Sequence, residues 1–240
     1  MQETIKSFEV TRGGKSGDLL SNIRNDQQLT VGLLACGYFE YWRMYPGLRE
    51  EVNQDMDTIA KRLGVSHNLI YPGFIETLDQ ADEAGRLLKK RNVDIVIIAE
   101  GTYCPDYFVH QALLHLPPDI AMICFASQSH GRLNFNAGYD QSLRNSGPMG
   151  LIQLTGGFRK MGKYEKFETV VGSVDDDEAY EEIDGLIRVF TVMHNLRHMT
   201  IGSIGHVFRG MYDFNFDKTA VTGKFGPHVM DVNIDHLMTI

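Results

Sequence analysis

Cysteine is scarce: Cys36, Cys104 and Cys124 are the only thiols in 240 residues. An odd count without regular spacing argues against a disulfide framework and for the reduced thiols of a cytoplasmic protein. No apolar run approaches the roughly 18 to 20 residues of a membrane-spanning helix, so no membrane partner is expected. The opening MQETIKSFEV has no apolar core for export and reads as the start of a cytoplasmic protein. Blocks of one charge are missing too. The net charge of −8 is spread along the chain, which favours solubility and argues against nucleic acid as a partner, because an acidic surface repels phosphate. There is no GxGxxG or Walker pattern, and the glycine pairs at 13–14 and 156–157 do not follow a strand, so nucleotide phosphate binding has little support. No internal repeat is visible.

What remains is an ordinary globular composition, 43% apolar and 22% charged, long enough for one large or two modest domains. Residues 1–29, with Gly13, Gly14 and Gly17, read as an irregular arm. Beyond it, apolar runs alternate with helical patterns. Strands are expected at Val31–Leu34, Asn68–Tyr71, 93–99 (VDIVIIA), 119–126 (DIAMICFA), 167–174, 199–204 and His228–Ile234. Helices are expected at 47–63, 79–91, 106–116, 149–161, the stretch after Asp175–Asp177, and 218–224. Strands alternating with helices imply a parallel sheet with right-handed crossovers. The polar stretch Ser127–Pro148 is expected to be a long loop, a length that is often functional.

In such a sheet the carboxyl ends of the strands share one edge, where ligands bind. Four stretches fall there: Cys36–Trp42, Glu100–Asp106, Ser127–Asn136 and Gly205–Asp213. The first is rich in rings, Tyr38, Phe39, Tyr41, Trp42 and Tyr45. Their flat faces and OH or NH handles suit a polyhydroxylated ligand, and equally suit packing beneath the next helix. Glu100, directly after VIIA, is a candidate base or ligand because a carboxylate at an apolar rim has its pKa raised; a solvated rim carboxylate or helix cap is the plainer reading. Cys104 has no basic neighbour in sequence and is expected to be a small buried residue rather than a nucleophile. His194 and His198, spaced i, i+4, share a helical face but lack a Glu between them, and at a helix end they also complement the dipole.

The ordered segments VGLLACGYFEYW, IIAEGTYCPDYF, ICFASQSHGRLNF, GGFRKMGKYEKFETVVG and IGSIGHVFRGMYDFNFDKTAVTGKFG resemble the amino-terminal half of the L-arabinose isomerases, in the L-fucose/L-arabinose isomerase group, over roughly residues 30–235. The resemblance implies a flavodoxin-like α/β domain over 30–173, after the arm, followed by the incomplete start of a second α/β domain over 174–240. It also implies an aldose–ketose isomerase, a homo-oligomer whose subunits share active sites, acting on a monosaccharide. The family's divalent metal, usually manganese, is held by two glutamates and two histidines in later parts of the enzyme, so neither a metal site nor catalytic activity is expected within this chain alone. By position the sugar-facing candidates are Gly37, Tyr38 and Phe39, Asn145 and Ser146, and Met211, with Tyr103 and Gln128 from the other two strand-end loops. The chain departs from the family at two such places. It has Cys36, Gly37, Tyr38 and Phe39 where arabinose isomerases carry Gln-His-Leu-Tyr, and RNSGPMG where they place a histidine before the GGFRKM helix. The sugar is therefore open among aldoses and ketoses. The competing reading is a non-catalytic sugar-binding α/β protein.

Overall fold

The computed structural model describes residues 28–164, 166–205, 210–211 and 215–233. The expected arm falls almost wholly outside these residues, as does much of the stretch Gly205–Asp213.

The first strand, β1 (Thr30–Cys36), pairs along its length with the wholly buried β4 (Ile95–Glu100). On its other side β1 takes two short partners in turn, β2 (Asn68–Ile70) and β3 (Phe74–Ile75). They form one edge strand interrupted at Tyr71-Pro72-Gly73, where proline has no N–H for the ladder. Beyond β4 lie β5 (Ala121–Gln128) and β6 (Phe167–Ser173), giving the order β2/β3-β1-β4-β5-β6, all parallel. With β2 and β3 taken as one strand, this is the flavodoxin-like 2-1-3-4-5 order. The α/β expectation is met.

Strand residues alternate between two cores. Leu34, Val96, Ile98, Met122 and Cys124 pack beneath α3 (Leu78–Lys90), α4 (Tyr107–Leu113) and α6 (Gly147–Met161), against Leu88, Phe108, Leu154 and Phe158. Leu33, Ala35, Ile97, Ile123 and Phe125 face α2 (Leu48–Ser66) and α7 (Asp177–His198), meeting Met56, Ile59, Leu63 and Ile183. Each Val, Leu, Ile, Met or Phe among them, fully buried, contributes about 1.5–3 kcal/mol of hydrophobic stabilisation. Covering both faces explains why β1 and β4 read as continuous apolar runs.

Helix starts follow local chemistry. Thr77 and Gln80 close a capping box on α3, and Asp176 accepts from the Glu178 N–H at the start of α7. Only the first half of α7 is buried, through Ala179, Tyr180, Ile183 and Ile187. Its end leads to β7 (Thr200–Ile204), which pairs in parallel with β8 (His228–Val232) across α8 (Lys218–Phe225) as a separate two-stranded sheet.

Three elements go beyond the sequence expectation: α1 (Glu40–Met44), α5 (Tyr139–Arg144) and β3. Each is shorter than two helical turns or a full strand, too short for a periodic pattern to register. Ser127–Pro148 is thus not one long loop; α5 lies within it and α6 opens at Gly147.

Candidate functional site

The carboxyl edge is assembled by a relay of hydrogen bonds. At Gly37 the chain leaves β1 so close to the Phe74 ring that a Cβ would overlap it, and the Gly37 N–H donates to Ile75 O (3.0 Å). Next, Tyr38 N–H donates to Thr102 Oγ1 (3.1 Å), whose hydroxyl donates to Tyr103 O (3.1 Å). Tyr103 N–H donates to Ser146 Oγ (2.7 Å), and that hydroxyl donates to Leu143 O (2.6 Å). The loops after β1 and β4 and the corner between α5 and α6 are thereby tied together through a fully buried Thr102. Tyr103 also reaches α6, its OH donating to Gln153 Oε1 (2.6 Å).

Of the expected sugar-facing residues, Gly37, Tyr38, Phe39, Tyr103 and Ser146 gather here. The Tyr38 ring meets Phe39 and Tyr41 edge-on, each at 5.3 Å. Asn145 is adjacent but occupied: its amide accepts from His130 N–H (3.0 Å) and donates to His130 O (2.8 Å), clamping the loop after β5. Gln128 ends β5, with its backbone carbonyl accepting from Val174 N–H (2.9 Å). Met211 lies in the connection between β7 and α8, exposed, and shares none of these contacts among the described residues.

Tyrosine hydroxyls converge along the same edge. Tyr41 is pushed above its ordinary pKa by burial and then by Tyr103, Tyr139 and Tyr38, which stand close enough to oppose a phenolate. Tyr107 is raised by burial and by Tyr38. Five phenols, from the loops after β1 and β4 and from α1, α4 and α5, therefore lie in one region, and a phenol can both donate and accept. A second cluster braces the ring-bearing segment: Glu76 accepts from Trp42 Nε1 (2.7 Å) and from Arg49 Nε (2.8 Å) and Nη2 (2.5 Å).

Beneath the edge lies a set of unpartnered oxygens. The buried side-chain polar atoms without a hydrogen bond, among the described residues, are both Glu100 carboxyl oxygens, Asp106 Oδ1, Ser127 Oγ and Ser129 Oγ. All sit at the ends of β4 and β5 or in the loops that leave them. Buried polar atoms are nearly always paired, so their concentration at one end of the sheet sets that end apart. Glu100, 1% exposed, is held well above the ordinary glutamate pKa by burial and then by Cys36 and Asp106. The nearest donor, Cys104 N–H, offsets part of this without reaching hydrogen-bonding geometry. Glu100 is thus a buried acid whose charged form is disfavoured, neither a solvated carboxylate nor a cap. Burial likewise pushes the Cys104 thiol far up and the Cys124 thiol to about 12, which makes both poor nucleophiles.

The opposite, amino edge holds a groove of about 650 Å³ with walls from Leu29, Val93, Ile120, Phe167, Phe190 and Met193. Its lining is mainly apolar, with Asp94, Lys166, Glu168 and Arg197 among the charged side chains that also border it. His194 and His198 border it with stacked rings 4.3 Å apart, and the His198 Nδ1–His194 O distance is 2.8 Å. No group of three or more His, Cys, Asp or Glu side chains suited to a metal ion occurs among the described residues.

Sequence reasoning missed Thr102 and Glu76. Thr102 stands in a turn where any small polar residue would be unremarkable. Glu76 follows a two-residue strand that carries no pattern. No helix among the described residues is long and apolar enough to cross a membrane. Comparison with protein-family models and with curated proteins returns no match to this chain.

Proposed function

We propose that the carboxyl edge of this sheet is one wall of a monosaccharide site in a cytoplasmic aldose–ketose isomerase, the reaction class implied by the resemblance to the L-arabinose isomerases. The observation that carries the reading is the convergence of Tyr38, Tyr41, Tyr103, Tyr107 and Tyr139 on one edge. Phenol faces stack on the apolar side of a sugar ring while their hydroxyls pair with its own, so such a wall suits a polyol better than a phosphate or an apolar ligand. The relay through Thr102 supports the same reading, because a preorganised wall loses little freedom when it binds.

The manganese expected in this family needs ionised carboxylates and neutral imidazoles. The residues at this edge do not fit it: burial disfavours the charged form of Glu100 and of the neighbouring Cys104 and Cys124 thiols. On this reading the metal and the hydrogen transfer belong to parts of the enzyme outside this sequence, and this chain contributes a wall to a site shared between subunits.

The test is a panel of aldoses and ketoses titrated into the purified chain by calorimetry and saturation-transfer NMR, with and without manganese. The reading expects weak binding of some sugars that is independent of metal and lost in Tyr38→Ala and Tyr103→Ala, with no turnover. Isomerase activity from the chain alone, or no sugar response in any titration, would overturn it. Tight metal-independent binding would favour the competing sugar-capture reading.

A further inference from the structure

Glu100 is the least explained group at this edge, and its surroundings assign it a role that the sugar reading does not contain. We propose that Glu100 is a neutral acid that seats the first turn of α6 on the sheet, and that its ionisation unseats that turn. The contact is unusually close. At Gly147 a Cβ would overlap the Glu100 backbone oxygen, and at Gly150 it would overlap Glu100 Oε2. Two glycines one turn apart let the bare backbone of α6 lie directly on this residue. The bare backbone of this turn packs against the Glu100 carboxyl and is tied by Ser146, while Leu151, one residue on, enters the core.

The groups facing that carboxyl come from every element around it. β1 contributes Cys36, the loop after β4 contributes Cys104 and Asp106, and β5 contributes Cys124. From α4, His110 lies next to Asp106, and burial lowers its pKa, which disfavours its charged form. The facing turn of α6 brings glycine backbone. None of these groups supplies a positive charge, and Asp106 opposes a second carboxylate. The positive end of the α6 dipole and the Cys104 N–H offset only part of this.

An ionised Glu100 must therefore recruit water. The nearest cover that can yield is the first turn of α6, since the opposite side is the sheet. That turn carries Ser146, and its departure releases Tyr103 and loosens the aromatic wall. The direction with pH follows. Because the folded-state pKa is raised, the folded chain keeps a proton that the unfolded chain has lost above about pH 4.3. Stability is therefore complete below that point, falls as the pH climbs toward the folded value, and is level beyond it.

The experiment uses the full chain with carboxyl-13C glutamate, followed by NMR across pH and paired with amide hydrogen exchange. One glutamate resonance, absent from Glu100→Gln, titrates clearly later than the others. As it titrates, protection of amides 149–151 drops by about tenfold or more beyond the intrinsic pH effect, as for a local opening. In E100Q this drop is absent, and the melting temperature no longer falls over the same span. The proposal is overturned if all glutamates titrate together, or if protection falls equally in both proteins. Should E100Q fail to fold, the wild-type chain decides alone: a late carboxyl coincident with loss of protection upholds the proposal, and either one without the other overturns it. Neither readout involves a sugar, so failure here is distinct from failure of the isomerase reading.

Discussion

Removing the Glu76 carboxylate should release the aromatic segment from the sheet, and the only tryptophan in the chain reports it directly. Trp42 Nε1 and two nitrogens of Arg49 all end on Glu76, whose side chain is 11% exposed. In Glu76→Ala the indole N–H loses a charged acceptor in a half-buried place, a loss of about 1.5–3 kcal/mol. The Arg49 part is smaller, about 0.2–1 kcal/mol, because its side chain is 47% exposed and water takes over its pairing. The sum is about 2–4 kcal/mol. Glu76→Gln keeps one acceptor and the shape, so it should lose about 1 kcal/mol. With a slope of about 2–3 kcal/mol per molar urea, E76A lowers the unfolding midpoint by about 1 M. Trp42 emission should shift to longer wavelength in native E76A before any global unfolding, since the indole gains contact with water. An unchanged native spectrum together with an unchanged midpoint would refute the view that Glu76 holds this segment.

Two glycines of α6 should respond oppositely to alanine. Gly150→Ala drives a methyl into Glu100 Oε2 and should destabilise by about 1–3 kcal/mol, whereas at Gly156, which meets open space, alanine should stabilise by about 0.8–1 kcal/mol through helix propensity; thermal melts of the pair check the sign. Arg144 donates to both Asp55 oxygens (2.7 Å each) and to Glu51 Oε2 (3.0 Å), joining α5 to α2 with only 15% of its side chain exposed. Arg144→Met leaves Asp55 buried and unpaired and should lose about 3–5 kcal/mol, with Asp55→Asn in the same chain recovering part of it in a denaturation series.

The sheet was legible because both of its faces are covered. Leu33, Leu34 and the run from Ile95 to Ala99 have no polar alternative, so their strands stood out as continuous apolar stretches. The edge strand was only half legible, since Pro72 and Gly73 hide that Phe74 and Ile75 rejoin the ladder. Of the site, the aromatic loop was visible as composition. Its organisation was not, because the Tyr38–Thr102 contact spans 64 residues and the Trp42–Glu76 contact spans 34, beyond the reach of any local pattern. The sequence suggested a raised pKa for Glu100, yet a solvated carboxylate was the plainer reading. What decides against it is the burial of Glu100, completed by two glycines of α6 whose close approach depends on how that helix crosses the sheet.

The buried Thr102 has a consequence for how this edge changes over generations. Because one hydroxyl joins the segments that carry Tyr38 and Tyr103, and Tyr103 in turn holds Ser146, substitutions at these positions share a partner and will not act additively. A replacement that is harmless beside threonine becomes costly beside valine, and the reverse. Altered ligand preference should therefore arise through linked sets of changes across the three segments, and libraries that vary them one at a time would miss most viable combinations.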